Sequence, residues 1–231
     1  MFKFTREKTF GLDRTAPPNN GRYVVLDTEL TGLDEKKDSI VSIGAVRVTG
    51  GKIELGGSYY RLIHPATELT ASSVVIHEIT PSEVVAKPDV DAVLREFLEF
   101  CGNDILVGHF VSIDLEFINR EMKRTHGAPL SNPAVDTFSV YEWLRKRRVE
   151  HPGLSSAKPA YKLYDIATCF GIPVMGAHNA MMDAFTTAQL FQRFLPMLSG
   201  AGVSDIGDLL KIGSPFKGGD RFRHAGESSN F

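Results

Sequence analysis

Two carboxylates follow the first strongly apolar run of the chain. The run RYVVL at 22–26 leads into Asp27 and Glu29, which are separated by one residue. Successive side chains of a β-strand point to opposite faces, so residues two apart share a face. Adjacent carboxylates repel each other unless a cation lies between them, and Mg²⁺ and Mn²⁺ prefer several oxygen ligands. The spacing indicates a divalent-metal site, and a solvated turn is the alternative explanation.

Two later segments carry groups that could act at the same site. The run GHFVSID contains His109 and Asp114, and the run HNAMMD contains His178 and Asp183. The first run follows a short predicted strand, and loops at strand ends commonly carry function. Taken singly, Asp114 fits a helix cap, and His178 fits a cap or a surface residue. Taken in order, the three segments favour one acidic site with a histidine.

The order and spacing of these segments resemble the three exonuclease motifs of the DEDD superfamily, in its histidine-containing DEDDh branch. The matching runs are DTELTG at 27–32, GHFVSID at 108–114 and HNAMMD at 178–183, whose H-x-A-x-x-D spacing marks that branch. VIHEIT at 75–80 and VDT at 135–137 also fit the family's pattern. The resemblance covers residues 22–195, and the segments are most similar to proofreading ε subunits of bacterial DNA polymerase III and their free-standing relatives.

The resemblance implies a metal-dependent 3′–5′ exonuclease with a ribonuclease-H-like fold. Asp27, Glu29, Asp114 and Asp183 would bind two Mg²⁺ or Mn²⁺ ions, and His178 would be the general base; these five form the predicted catalytic set. A histidine with an unperturbed pKa of about 6.5 accepts a proton at neutral pH, and two cations can activate water and stabilise the leaving 3′-oxygen. The residues predicted to contact the substrate are Thr28, Leu30, Thr31, Gly32, His109 and Phe110.

The implied substrate is a single-stranded or frayed 3′ end, from which nucleoside 5′-monophosphates are released. DNA is favoured because the likeness is to a proofreading subunit, and small RNAs or RNA 3′ ends are the alternative. A binding module that has lost turnover is an alternative of a different class, which metal-dependent turnover would exclude. Three departures from the family pattern bear on substrate preference: Leu30 stands for Thr, Phe110 for Asn and Asn179 for Arg. Phe110 could alter local hydrogen bonding or offer a base-stacking surface.

Composition limits the other functions. The 231 residues are 42% hydrophobic and 23% charged with a net charge of −2, which is typical of a folded protein without a long-range basic field. Nucleic-acid binding would then need a local basic patch or bound cations. No apolar stretch reaches the roughly 18 residues of a membrane span, and the first residues lack a signal-peptide pattern. Two distant cysteines fit a reduced, cytoplasmic protein without membrane contact. Serine-hydrolase and P-loop motifs are absent from the sequence.

The elements that must position these residues are predicted from periodicity. The first three strands would form an antiparallel meander, with a hairpin turn at 49–51 between the second and the third. Strands and helices alternate after it. The fold class is therefore α/β, a mixed five-stranded sheet with helices on both faces. The predicted strands are 22–26, 39–48, 52–63, 104–107 and 133–135. The predicted helices are 89–101, 114–124, one from about 136, 161–170 and 179–194.

The predicted domain organisation has three parts. Residues 1–20 are an N-terminal extension, 21–198 are the exonuclease domain, and 199–231 are a C-terminal tail. The tail is rich in Gly and Ser, which predicts a loosely ordered or partner-binding segment. It contains the apolar residues Ile206, Leu209, Leu210 and Ile212. These would suit docking to a DNA polymerase or ordinary packing against the domain equally well.

Overall fold

One mixed sheet forms the centre of the molecule. The structure is a computed structural model that describes residues 12–155, 160–174 and 176–215. The strands are β1 (Arg22–Leu30), β2 (Ile40–Thr49), β3 (Lys52–Leu62), β4 (Ile105–Gly108) and β5 (Ala134–Asp136). Their order is β3-β2-β1-β4-β5, with β1 antiparallel to β2 and parallel to β4. The predicted mixed five-stranded sheet is confirmed, including the hairpin turn at Gly50 and Gly51, which both have positive φ.

The helices follow the predicted alternation, and several of them begin at polar side-chain caps. They are α1 (Ala71–His77), α2 (Pro81–Val84), α3 (Val90–Cys101), α4 (Ser112–His126), α5 (Thr137–Lys146), α6 (Leu163–Cys169), α7 (Ala180–Gly200) and α8 (Ile206–Ile212). Asp89 caps α3, Asp136 caps α5 and Asn179 caps α7, each by accepting backbone N–H groups of the first turn. The starts predicted for these helices at 89 and at about 136 are confirmed.

The alternating side chains of β1 divide the core between the two faces of the sheet. Tyr23 and Val25 belong to the larger hydrophobic cluster, which α5, α6 and α7 complete. Val24 and Leu26 belong to the other cluster, which α3 and α4 complete. Helices therefore cover both faces, as predicted. Asp27 and Glu29 continue the row of Tyr23 and Val25, so the period of two directs them toward the α7 face.

The C-terminal region corrects one prediction. Helix α7 continues past Pro196 to Gly200, and α8 follows it. Ile206 and Leu209 of α8 are buried, so the packing interpretation of this apolar patch holds, and a loosely ordered tail is wrong for residues 199–213. The Ile206 N–H also donates to the Ala16 carbonyl, which ties α8 to the N-terminal segment. The boundaries at residues 20/21 and 198/199 stay predictions, and residues 1–11 and 216–231 lie outside the described residues.

Two short helices between the third strand and α3 were not predicted from the sequence. Helix α1 has seven residues and α2 has four, which is too short for an apolar period to stand out. Within the residues that the structure describes, no helix is long and apolar enough to cross a membrane.

Candidate active site

Three carboxylates meet where β1 ends against the first turn of α7. Asp27 pairs with Gly44 of β2, and a Cβ on Gly44 would lie 2.3 Å from the Ala180 carbonyl carbon. Because Gly44 has no side chain, the start of α7 approaches the sheet closely. Asp183 in the first turn of α7 then reaches Asp27 and Glu29, and one oxygen of each carboxylate lies within 4.8 Å of the others.

Asp114 reaches the same cleft from the opposite face of the sheet. The backbone N–H and the hydroxyl of Thr28 both donate to Asp114 Oδ1, at 2.9 Å and 2.6 Å. Helix α4 has Val111 at its N-cap position without a side-chain cap, so the alternative in which Asp114 caps the helix is wrong. Thr28, between Asp27 and Glu29 in sequence, therefore connects the two faces of the acidic site.

His178 lies at the edge of this cleft, directly before α7. Its side chain is exposed, and its backbone has a φ of 62°, in the left-handed region. Asn179 rather than His178 caps the helix, through the N–H groups of Met181 and Met182. The cap interpretation of His178 is therefore wrong, and the structure places it on the surface beside the carboxylates.

Burial raises the pKa of all four carboxyl groups, and repulsion from neighbouring carboxylates adds to the rise at Asp27, Glu29 and Asp114. Burial, then the charges of Asp114, Glu29 and Asp183, raise the pKa of Asp27 well above its ordinary value. Burial and the same kind of repulsion raise the pKa of Glu29 to about 8. Burial raises the pKa of Asp114 to about 7, against the hydrogen bonds from Thr28. Burial also raises the pKa of Asp183, although the Tyr164 hydroxyl and His178 favour its charged form.

These carboxylates fit a divalent cation. Glu29 lies in β1 and is 8% exposed, so the solvated-turn alternative is wrong for it, and Asp183 is 6% exposed. Within the described part of the chain, Glu29 Oε1 and Asp183 Oδ1 are buried without a hydrogen-bond partner. Buried polar atoms are normally satisfied, and a cation would satisfy both oxygens while it removed the repulsion between the carboxylates.

The cleft has a volume of about 530 Å³, and both apolar and polar side chains line it. Its apolar lining comes from Leu30, Leu33, Ile76 and Ile113, and most of the predicted substrate contacts also line it: Thr28, Leu30, Thr31, Gly32 and His109. Asp38 shapes the loop after β1, because its carboxylate accepts the Thr31 hydroxyl and lies where a Cβ on Gly32 would be. Helix α1 forms a wall that sequence reasoning missed, although the VIHEIT run pointed to its last residues.

The two aromatic residues of the second motif have different positions. His109 lines the cleft, but its Nδ1 lies 3.0 Å from the Thr137 hydroxyl and its Nε2 lies 2.9 Å from the Tyr161 carbonyl oxygen. Burial lowers the pKa of His109 to about 4, so it is a neutral part of the scaffold. Phe110 packs on Phe138 with ring centroids 4.6 Å apart and is not among the residues that line the cleft. The base-stacking role of Phe110 therefore has no support in this geometry.

Tyr164 is a contact of the site that sequence reasoning missed. Its hydroxyl hydrogen-bonds to both Asp183 and the His178 backbone. It lies 14 residues before His178 and outside the three motif runs, so no local pattern marks it.

Comparison with known proteins places this chain in a family. Residues 24–191 match the family model described as exonuclease, of the RNase T type. The chain is 37% identical over 179 residues to DNA polymerase III subunit epsilon of Aquifex aeolicus, covering 78% of this chain and 83% of that protein. It is 33% identical over 190 residues to the PolC-type DNA polymerase III of Thermotoga maritima, covering 82% of this chain but only 13% of that protein.

Solved structures share the fold. Exonuclease X in complex with 5′-overhanging duplex DNA matches with a TM-score of 0.62 at 21% identity, over 81% of this chain and 99% of that one. Escherichia coli exonuclease I in complex with a dT13 oligonucleotide matches with a TM-score of 0.64 at 19% identity, over 78% and 42%. A zinc-bound form of the exonuclease I complex with single-stranded DNA also matches, with a TM-score of 0.64 at 21% identity, over 78% and 43%.

The chain belongs to the exonuclease family. It is an enzyme, a hydrolase of the 3′–5′ exonuclease class, and the resemblance expected from its motifs is confirmed. The acidic cluster at the end of β1 provides the oxygen ligands that a divalent-metal-dependent exonuclease needs.

Proposed function

We propose that this chain removes nucleotides from the 3′ end of single-stranded or frayed DNA and releases nucleoside 5′-monophosphates. The observation that carries the proposal is the convergence of three buried carboxylates, the half-buried Asp27 and one exposed histidine on a single cleft. The carboxylates come from β1, α4 and α7, which are separate in sequence. A fold that needed only stability would not collect like charges there.

The proposed cofactors are two Mg²⁺ or Mn²⁺ ions. Asp27, Glu29 and Asp183 would hold them with Asp114, since all four have raised pKa values and two of their oxygens are unpartnered in the described residues. When bound, such ions activate water and stabilise the leaving oxygen. The same charges would let a cleft lined by four carboxylates accept a phosphate.

His178 is the proposed general base. It is exposed at the edge of the cleft next to Asp183, where a water beside the scissile phosphate would reach it. An imidazole accepts a proton near neutral pH. In the proposed reaction His178 takes one proton from the attacking water, and the water oxygen forms a bond to phosphorus. The bond from phosphorus to the 3′-oxygen of the preceding nucleotide breaks, and that oxygen gains a proton from solvent.

The walls of the cleft support a nucleotide as the substrate. Leu30, Leu33, Ile76 and Ile113 offer apolar surface for a base and a sugar, whereas the four carboxylates of the same cleft would hold the phosphate through bound cations. DNA is proposed because a relative is named as an epsilon subunit of DNA polymerase III and matching folds were solved with DNA. Affinity outside the site would come from backbone contacts and stacking.

A DNA polymerase is the proposed protein partner. The described part of the C-terminal tail packs on the core through Ile206 and Leu209, so these residues would not make the contact. The contact is therefore proposed for residues 216–231, which lie outside the described residues. Copurification with a replicative polymerase, from chains with and without residues 216–231, tests this. Equal recovery of both would contradict it.

Degradation of 5′-labelled strands tests the proposed activity. Single-stranded DNA and matching RNA are incubated in Mg²⁺, in Mn²⁺ and in EDTA, with Asp27→Ala and His178→Ala as test variants. Asp165→Ala is the matched control, because Asp165 is an exposed carboxylate on α6 outside the cleft. We expect a metal-dependent ladder that shortens from the 3′ end, lost in Asp27→Ala and slowed about 10²- to 10⁴-fold in His178→Ala.

Two other outcomes would change the proposed substrate or the proposed activity. Faster cleavage of RNA would replace DNA with RNA as the substrate. Tight binding of both strands without cleavage in either metal would contradict the exonuclease activity and favour a binding module.

A further inference from the structure

Tyr164 lies between two groups of the proposed site, His178 and Asp183, which both belong to the run at 178–183. Its hydroxyl donates to Asp183 Oδ2 at 2.6 Å and accepts the backbone N–H of His178 at 2.7 Å. Its ring meets the His178 imidazole edge to face, with centroids 5.5 Å apart and planes at 85°. One side chain of α6 therefore contacts both a candidate metal ligand and the candidate general base.

The backbone of His178 needs such an anchor. Its φ of 62° lies in the left-handed region, which residues with a Cβ seldom adopt unless their surroundings enforce it. The side chain is exposed, so core packing does not hold it. The hydrogen bond from the His178 N–H to the Tyr164 hydroxyl fixes the segment directly before α7.

The same hydroxyl determines which oxygen of Asp183 is available. Oδ2 accepts the hydrogen bond from Tyr164, whereas Oδ1 is buried and has no hydrogen-bond partner among the described residues. One oxygen each of Asp183, Asp27 and Glu29 lie within 4.8 Å of one another. Tyr164 therefore restrains the rotation of the Asp183 carboxylate and leaves one oxygen for a cation.

We propose that Tyr164 is a positioning residue whose hydroxyl fixes the orientation of the Asp183 carboxylate relative to the His178 backbone. The proposal rests on the proposed function of this cleft and adds a residue outside its three motifs. Hydrogen-bonding partners of metal ligands hold the ligands in orientation, and their loss typically lowers metal affinity or activity about 10- to 100-fold.

Three variants separate the hydroxyl from the ring. Tyr164→Phe removes the hydroxyl and keeps the ring, and Tyr164→Leu removes both. Tyr161→Phe is the matched control, because it removes an exposed hydroxyl three residues away for which the described part of the chain shows no hydrogen bond. Each variant is tested for Mn²⁺ affinity without DNA by calorimetry, for kcat and KM on single-stranded DNA, and for its melting temperature.

We expect Tyr164→Phe to bind Mn²⁺ about 10- to 100-fold more weakly and to lose kcat by a similar factor with KM unchanged. Tyr164→Leu should show the same losses, and Tyr161→Phe should match the wild type. A wild-type-like Phe variant beside a defective Leu variant would overturn the proposal, since only ring packing would then matter. A Phe variant that does not fold would overturn it too, because the hydroxyl would then serve the whole fold. Wild-type protein that binds Mn²⁺ but cleaves neither strand would contradict the proposed function, while the Mn²⁺ comparison still decides the role of Tyr164.

Discussion

Two strands of the same sheet end in buried carboxylates with opposite surroundings. At the end of β5, Asp136 is fully buried, and its two oxygens accept N–H groups from Phe138, Ser139 and Val111. At the end of β1, Glu29 is nearly as deeply buried, but its Oε1 has no donor among the described residues. Asp136 is thus held by backbone donors, whereas Glu29 faces other carboxylates.

Burial alone does not distinguish these two carboxylates. It raises the pKa of Asp136 to about 6 and contributes most to raising that of Glu29 to about 8. The hydrogen bonds of Asp136 oppose the rise, whereas the charges of Asp183 and Asp114 add to it for Glu29. An unpartnered oxygen with like-charged neighbours therefore indicates a cation site, and a fully hydrogen-bonded carboxylate indicates a structural one.

The largest expected effect is on activity at the acidic cluster. Asp183→Asn keeps the shape of the side chain but removes a charge that the proposed cations need, and several kcal/mol of transition-state stabilisation correspond to a loss of about 10³-fold or more in kcat. Single-turnover cleavage of labelled DNA measures it, with Asp165→Asn on the exposed side of α6 as the control. A loss of less than tenfold would contradict the assignment of Asp183 as a ligand.

The next effect is on stability at the structural carboxylate. Asp136→Ala leaves three buried N–H groups without their acceptor, and we expect the free energy of unfolding to fall by about 3 kcal/mol. Asp89→Ala removes an exposed helix cap with one such bond and should lose only about 1 kcal/mol. Urea denaturation compares the two. Equal losses would show that the additional donors of Asp136 contribute little.

Gly44 offers a test of how the cluster is assembled. In Gly44→Ala the new Cβ would overlap the backbone of Ala180, so we expect α7 to shift and the free energy of unfolding to fall by about 2 kcal/mol. Activity should fall as well, because Asp183 would move away from Asp27. Gly56→Ala is the control, since a Cβ there meets nothing within 4 Å. Unchanged activity in Gly44→Ala would contradict the need for this close approach.

The last effect is a pH dependence of the stability of the metal-free protein. The pKa of Glu29 is raised from 4.5 to about 8, so the folded state binds this proton more tightly than the unfolded state does. This contribution to stability is complete below about pH 4.5 and is lost as the pH rises through about 8. Glu29→Gln cannot ionise, so in EDTA at pH 8.5 it should be more stable than the wild type.

Urea denaturation in EDTA at pH 5 and pH 8.5 measures the difference between Glu29→Gln and the wild type. The difference should be larger at the higher pH, and added Mg²⁺ should stabilise the wild type more than the variant. A difference that is the same at both pH values would contradict the repulsion inferred at Glu29.

The sequence predicted those parts of the site that depend on local geometry. A period of two placed Asp27 and Glu29 on one face, and the polar residues Asp89 and Asp136 predicted the starts of two helices. The capping box of Thr80 and Glu83 was also present in the sequence, but the four-residue helix that it begins was not predicted.

The remaining parts depend on contacts between distant segments. Asp183 meets Asp27 only because α7 packs over Gly44, which lies on another strand. Thr28 holds Asp114 across 86 residues, and Tyr164 holds His178 across 14. Side-chain hydrogen bonds of this kind leave no periodic pattern, so only the motif resemblance connected these segments before the structure did.

Counting bound Mn²⁺ tests most directly whether the β1 cluster is the cation site. Electron paramagnetic resonance of the free ion would be followed while Mn²⁺ is added to the wild type, to Glu29→Gln and to Asp165→Asn at pH 7.5. We predict two ions per wild-type chain and per Asp165→Asn chain, and weaker or lost binding in Glu29→Gln, because a ligand of the unpartnered cluster is gone. Equal binding by Glu29→Gln and the wild type, or no binding by any of the three proteins, would contradict the account.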